Sequence, residues 1–231
     1  MKNKQFAVIG LGQFGEAIAR SLSEKGAQVM AIDSNPDRVD YISSDVTYAV
    51  ALDATDKKAL MSQNIQDFDA VVIAIGENFE NLLLCAVNLI ELKVPRIIAR
   101  AKGNANKLIL QKLGIEDIFQ PEFEVGAVVA ERLMNPSLLS FMKMPDEYAI
   151  IEIKAPKNII GKKISEIQLR KNYKVNLITI KRKHDSKVDE NGEAELHITG
   201  VPQSDTIIQK DDQLVIFGRE KDFLKLVEIN N

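Results

Sequence analysis

The stretch Ile9-Gly10-Leu11-Gly12-Gln13-Phe14-Gly15 carries glycines at the spacing G-x-G-x-x-G, and Asp33 follows 23 residues after Gly10. The chemistry open to this pattern is recognition of phosphate and ribose. Gly10 permits a tight turn, Gly12 lets the main chain approach a pyrophosphate, and Gly15 lets a helix pack closely on a strand. The first N–H groups of that helix and its positive dipole end meet the phosphates. A carboxylate such as Asp33, at the end of the next strand, accepts hydrogen bonds from ribose hydroxyls and repels a 2′-phosphate. Leu11, Gln13 and Phe14 complete the turn. Ser34, Asn35 and Arg38 follow Asp33 and are expected to belong to the same nucleotide site.

More candidates fall where a third, fourth, fifth and sixth strand would end. They are Asp53, Ala54 and Thr55, then Ala74, Ile75, Gly76, Glu77 and Asn78, then Arg100, and finally Glu122 after Pro121. Each alone has an ordinary use. Asp53 or Thr55 can cap a helix, Arg100 can be a solvated charge, and Glu122 can favour a helix dipole from the first turn. Their shared position at the carboxyl ends of strands is where open parallel sheets bind ligands.

The elements that must position these residues are legible as alternating runs. "QFAVIG", "AQVMAID", "VTYAVAL", "DAVVIAIG", "PRIIARA" and "EDIFQP" read as strands. "GEAIARSLSEKG", "NPDRVDYISS", "DATDKKALMSQN", "ENLLLCAVNLIELKV" and "NANKLILQKLG" read as the helices between them, with Gly26 and Gly114 as stops and Pro36 in a first turn. Repeated β-α units predict an α/β fold with a doubly wound parallel sheet, Rossmann-like in layout. "EVGAVVAERLMNPSLLSFMKMP" is expected to be helical, with a break near Asn135-Pro136. Beyond Pro145 the texture changes. "EYAIIEIKA", "NLITIKRK", "ELHITG" and "DQLVIFG" read as short strands, "KKISEIQL" as a brief helix, "KHDSKVDENGE" as a charged loop and "EKDFLKLVE" as a closing helix. The expected division is a nucleotide-binding domain over 1–142 and a small α+β domain over 143–231.

Composition bounds the function. The chain has 231 residues, 45% of them hydrophobic and 27% charged, with a formal net charge of −3. That charge gives no reason to expect nucleic acid as a partner. The single cysteine, Cys85, cannot form an internal disulfide. The apolar runs fall short of the roughly 20 residues of a membrane span, and the N-terminus lacks a signal-peptide pattern, so a cytoplasmic protein is expected. A dehydrogenase would need an acid–base residue near the nicotinamide. The two histidines, His184 and His197, lie far along the chain from the glycines. No catalytic residue is assigned; a small NAD(P)-dependent oxidoreductase is the alternative to a binding protein.

"FAVIGLGQFG", "AIDSNPDRV", "DATD", "FDAVVIAIGEN" and "LQKLGIEDIFQPE", followed by a small β-rich domain, resemble the RCK (regulator of K⁺ conductance) proteins of the KtrA/TrkA type. The resemblance covers nearly the whole chain. It implies a cytoplasmic regulatory subunit that binds ATP/ADP or NAD(H) and works at the inner face of the membrane. It further implies homodimers assembled into an octameric ring beneath a KtrB/TrkH-like potassium transporter subunit. The position of Arg100 would face the terminal phosphate. Glu122 would approach a phosphate and hold Mg²⁺ or Ca²⁺ at the dimer interface. KtrA-type turns commonly read GLGRFG, whereas this chain has Gln13, which leaves ADP, AMP and NAD(H) beside ATP as ligands. The second half resembles a TrkA-C (RCK_C) module, some of which bind cyclic di-AMP. Ile164 and Ile167 are then the candidates for base contacts, and Arg170 and Asn176 for phosphate and base contacts.

Overall fold

A computed structural model of the chain describes residues 4–134, 138–188 and 194–230. The chain forms two compact units, Met1–Glu124 and Val125–Asn231.

The first unit is a six-stranded parallel sheet in the order β3-β2-β1-β4-β5-β6, with β1 at Gln5–Ile9, β2 at Gln28–Asp33, β3 at Tyr48–Ala51, β4 at Ala70–Ile73, β5 at Ile97–Arg100 and β6 at Asp117–Phe119. Helices α1 (Gln13–Glu24), α2 (Pro36–Ile42), α3 (Lys57–Ser62), α4 (Phe79–Glu91) and α5 (Asn104–Lys112) make the crossovers, and α6 (Pro121–Met134) follows β6. The strands are apolar on both faces because both are covered. Ala7, Ile9, Met30, Ile32, Val71 and Ile73 pack on one side with α3, α4 and α5. The alternating residues Val8, Val29, Ala31 and Val72 pack on the other side with α1 and α2. Each fully buried Leu or Ile contributes about 1.5–3 kcal/mol.

Local chemistry sets the helix starts. Pro36 begins α2 behind Asn35, whose side chain accepts the Asp37 N–H at 2.9 Å. The cap of α3 differs from the expected Asp53 or Thr55: it is Asp56, which accepts from Lys58 and Ala59. Asp53 instead closes a turn on Thr55.

The second unit is an antiparallel sheet in the order β10-β9-β11-β8-β7, with β7 at Leu138–Lys143, β8 at Tyr148–Lys154, β9 at Asn176–Val188, β10 at Ala194–Ile198 and β11 at Gln213–Arg219. One face carries Ala149, Ile151, Ile153, Ile180, Leu214 and Ile216. On it pack the short helices α7 (Ile164–Ile167) and α8 (Leu169–Tyr173) and the closing α9 (Glu220–Asn230). Two expectations change here. "LLSFMK" is a strand paired with β8 instead of helix, because the ladder satisfies its main chain. The charged stretch from Lys183 to Val188 continues β9 instead of looping. The expected helix break at Asn135-Pro136 lies outside the described residues.

Candidate functional site

The order 3-2-1-4-5-6 reverses between β1 and β4, and a crevice opens there at the carboxyl ends of the strands. It is a cavity of about 760 Å³, within the usual range for small-molecule sites. All of its lining residues belong to the first unit.

The glycine turn forms its floor. Gly10 has φ +95°, and a Cβ there would lie 2.9 Å from the Ile75 nitrogen. The Gly10 N–H donates to the Ile32 carbonyl at 2.8 Å, which ties the turn to β2. Gly12 faces open space, and α1 starts directly after it without a side-chain cap. The helix's first N–H groups are thus left for a ligand.

At the end of β2, Asp33 is 8% exposed. Its Oδ2 accepts the Leu11 N–H at 2.6 Å and its Oδ1 accepts the Asn35 N–H at 2.8 Å. Arg38 stands 3.5 Å from Oδ2. The carboxylate is thereby oriented by the main chain and keeps lone pairs for a diol.

At the opposite end of the cavity, Arg100 extends from β5 and hydrogen-bonds through Nη2 to Oε1 of Glu122, at the start of α6. Its guanidinium lies 5.6 Å from the Phe14 ring centroid, and its buried Nε has no hydrogen-bond partner. The bond from Arg100 holds the Glu122 carboxyl below its ordinary value, so the pair is ionic at neutral pH. Asp53, lowered by the Thr55 N–H and hydroxyl, is ionised too. Behind the site Cys85 is fully buried, and desolvation together with the Asp53 charge pushes its thiol up to about 12. It is an inert core residue.

The structure brings most of the expected residues to one cavity: Gly10, Gly12, Gln13, Phe14, Asp33, Ser34, Arg38, Asp53, Ala54, Thr55, Ala74, Ile75, Gly76, Glu77, Asn78, Arg100 and Glu122. Leu11, Gly15 and Asn35 do not line it; they brace Asp33 and the turn. Sequence reasoning missed Asn81 and Lys102, which also line it. Lys102 sits two residues beyond Arg100, a repeat of basic residues at a strand end that was the available signal.

In the second unit a recess of about 410 Å³ is lined by Ile164, Arg170, Lys171 and Leu177, among others. Two expected residues differ. Ile167 is 5% exposed and packs into the core, and Asn176 lies outside the recess at the start of β9, paired in the ladder with Phe217. The expected divalent site was placed at an interface between two copies, with Glu122 as this chain's contribution. Among the described residues no group of three or more His, Cys, Asp or Glu could hold a metal, and Glu122 is engaged by Arg100.

Gly76 gives a direct probe of the distal end. A Cβ there would lie 2.5 Å from Arg100 Nη1 and 3.0 Å from Cζ. Gly76→Ala should swing the guanidinium off its seat. Calorimetry with ADP should show affinity about tenfold weaker, the loss of one charge-assisted bond. An unchanged affinity would remove Arg100 from the ligand contacts.

A doubly wound sheet of this order with a glycine turn and an acid at the end of β2 defines a Rossmann-type domain. Residues 6–121 match the TrkA-N domain and residues 148–230 the TrkA-C domain. The chain is 35% identical to Ktr system potassium uptake protein A of Bacillus subtilis over 96% of its own length and 95% of that protein's. It is 32% identical to the Ktr system potassium uptake protein A of Vibrio alginolyticus over 78% of its length and 82% of that protein's. The chain belongs to this family, the KtrA/TrkA-type RCK proteins. Among solved structures, the GsuK channel superposes over the whole chain with a TM-score of 0.66 at 14% identity, and the GsuK channel bound to NAD with 0.63 at 15%. The chain spans 40% of each of those channel chains. At that identity the likeness concerns the fold. Among the described residues no helix is long and apolar enough to cross a membrane.

Proposed function

We propose that this chain is a regulatory subunit of a potassium-uptake system, acting at the cytoplasmic face of the membrane by binding an adenine nucleotide in the first unit and passing its occupancy to a membrane subunit. The observation that carries this reading is the cavity itself: a glycine turn, an uncapped helix start and an oriented Asp33 at one end, with Arg100 at the other. The relatives' names supply the potassium system. A ligand changes the balance between two conformations only if it binds one of them more tightly. The Arg100–Glu122 end, where nucleotides of different phosphate content differ, is where such preference would arise.

Charge favours a ligand of modest negative charge. Arg38, Arg100 and Lys102 face Asp33, Asp53, Glu77 and Glu122, three cations against four carboxylates. ATP without a counter-cation meets excess negative charge there. A diphosphate such as ADP, or the singly charged phosphates of NAD(H), meets less; the GsuK channel, a neighbour in fold, has a solved structure bound to NAD. A divalent cation at Glu122 would need oxygens from a second copy and from the ligand.

The decisive experiment is mass spectrometry of small molecules released from the purified protein, followed by calorimetry with ATP, ADP and NADH. Potassium flux is then measured in liposomes holding the membrane subunit. Recovery of no nucleotide and no binding of any of the three would overturn the reading. Asp33→Asn, which keeps one carbonyl acceptor for the main chain, should weaken the bound nucleotide by about 1.5–3 kcal/mol through its loss of charge.

Self-association is part of the same reading. On α6 Val125, Val129 and Leu133 repeat every fourth residue, and all three are exposed, as are Leu84, Val87 and Ile90 on α4. An apolar stripe of this length suits burial against a second copy, consistent with dimers that build a ring. Sedimentation should give at least a dimer at micromolar concentration; a monomer with nucleotide present would contradict it. In the second unit the Ile164–Arg170 recess, with Lys171 adding a second positive charge, suits a cyclic dinucleotide such as cyclic di-AMP. Thermal shift with that compound tests it directly.

A further inference from the structure

With the cavity read as the nucleotide site, its three cations are not equivalent. Arg38 stands beside Asp33 at the ribose end. Arg100 is neutralised by Glu122 and fixed between Phe14 and Gly76. Gln13, in the glycine turn, is an uncharged amide. Lys102 is exposed, lines the main cavity and also a small recess beside Arg100, and takes part in no hydrogen bond or ion pair among the described residues. We propose that Lys102 recognises the distal phosphate of the nucleotide, and that this phosphate displaces Glu122 from Arg100 as it binds. The proposal rests on the nucleotide reading above and assigns the charge that the turn does not supply.

The physical case has two parts. A lysine that makes no hydrogen bond, and whose charge acts on Glu122 only across space, gives up mainly water to meet a phosphate, and its ammonium acts there as a compact point charge. Arg100 must instead exchange one anion for another. Glu122 uses Nη2 and leaves Nε, on the same edge of the guanidinium, buried without an acceptor. A phosphate presents several oxygens and satisfies both donors in the parallel fork that guanidinium groups favour. Phe14 and Gly76 hold the guanidinium in place during the exchange, so the change falls on Glu122, which begins α6.

Calorimetry with ADP and with adenosine, at low salt and at higher salt, tests this on the full chain. Lys102→Gln should weaken ADP about tenfold, leave adenosine unchanged and flatten the salt dependence of ADP binding. Lys102→Arg should restore ADP. Glu122→Gln should tighten ADP several-fold, because the competitor for Arg100 has lost its charge. A Lys102→Gln protein with the parental ratio of ADP to adenosine affinity overturns the assignment. An equal loss for both ligands also overturns it, since Lys102 would then shape the site and not read phosphate. In either case the parent's own binding leaves the nucleotide reading standing. A parent that binds neither ADP nor adenosine overturns both.

Discussion

Asp212→Ala should destabilise the second unit by about 3 kcal/mol, the lower end of the range for breaking a buried ion pair. Asp212 is 1% exposed and sits just before β11. Its carboxylate accepts Arg182 Nε at 2.7 Å and Nη2 at 2.8 Å, and also the Gln209 N–H at 2.8 Å. Arg182 reaches on to the Ile207 carbonyl at 3.0 Å. The side chain thus pins β9 and the turn before β11, while the main-chain carbonyl of the same residue accepts the Ala155 N–H after β8. Alanine would leave the guanidinium and the Gln209 N–H without that acceptor. The lower end applies because the Arg182 side chain is 25% exposed and water can reach it. Urea unfolding followed through amide exchange of this unit should show the loss. Asp211→Ala, at an exposed neighbour, should stay within about 0.5 kcal/mol. The paired change Arg182→Met with Asp212→Leu should recover most of the stability, because it removes both charges from the interior together. A single variant as stable as the parent would mean that water already satisfies Arg182 in the folded chain.

None of that network was legible in the sequence. Arg182 and Asp212 are 30 residues apart among many charges, and only strand register brings them together. The parallel sheet was legible because each strand is a short run apolar on both faces between amphipathic helices. The candidate cavity was legible for the same reason: the architecture gathers the carboxyl ends of strands, so residues far apart in sequence share one position rule. That rule placed Arg100 and Glu122, and it would have placed Lys102 had the two residues beyond β5 been counted. Where no such rule operates, reading was poorer. "LLSFMK" has no clear period, and its pairing with β8 decides its form. Ile164 and Ile167 look alike in sequence, yet Ile167 is enclosed by the core while Ile164, packed against the same core, also lines the recess.

Gly15→Ala and Gly12→Ala should separate the two duties of the glycine turn. In an ordinary helix interior Gly15→Ala would gain up to about 1 kcal/mol from helix propensity, whereas Gly12 is the N-cap of α1, where alanine's poorer capping offsets its gain in chain entropy. At Gly15 sterics win. A Cβ there would overlap the Gly10 carbonyl oxygen and lie 3.0 Å from the Ala74 Cβ. The obstacle is main chain, which has no rotamer to escape into, and Gly10 is itself wedged against Ile75. Relief requires α1 to move away from the sheet, at a cost of about 1–3 kcal/mol or more, and the helix start that borders the cavity moves with it. Gly15→Ala should therefore lose both stability and nucleotide affinity. At Gly12 a Cβ meets nothing within 4 Å, and the backbone is extended with φ −70°. Gly12→Ala should melt with the parent, yet its methyl group occupies the approach of the pyrophosphate and should weaken ADP and NADH by tenfold or more, roughly the cost of one displaced charge-assisted contact. Adenosine, which has no phosphate, should bind Gly12→Ala as it binds the parent. Thermal unfolding and calorimetry on the two variants decide the matter: if Gly12→Ala binds ADP with parental affinity, the phosphates do not lie over the turn and the ligand sits elsewhere in the cavity.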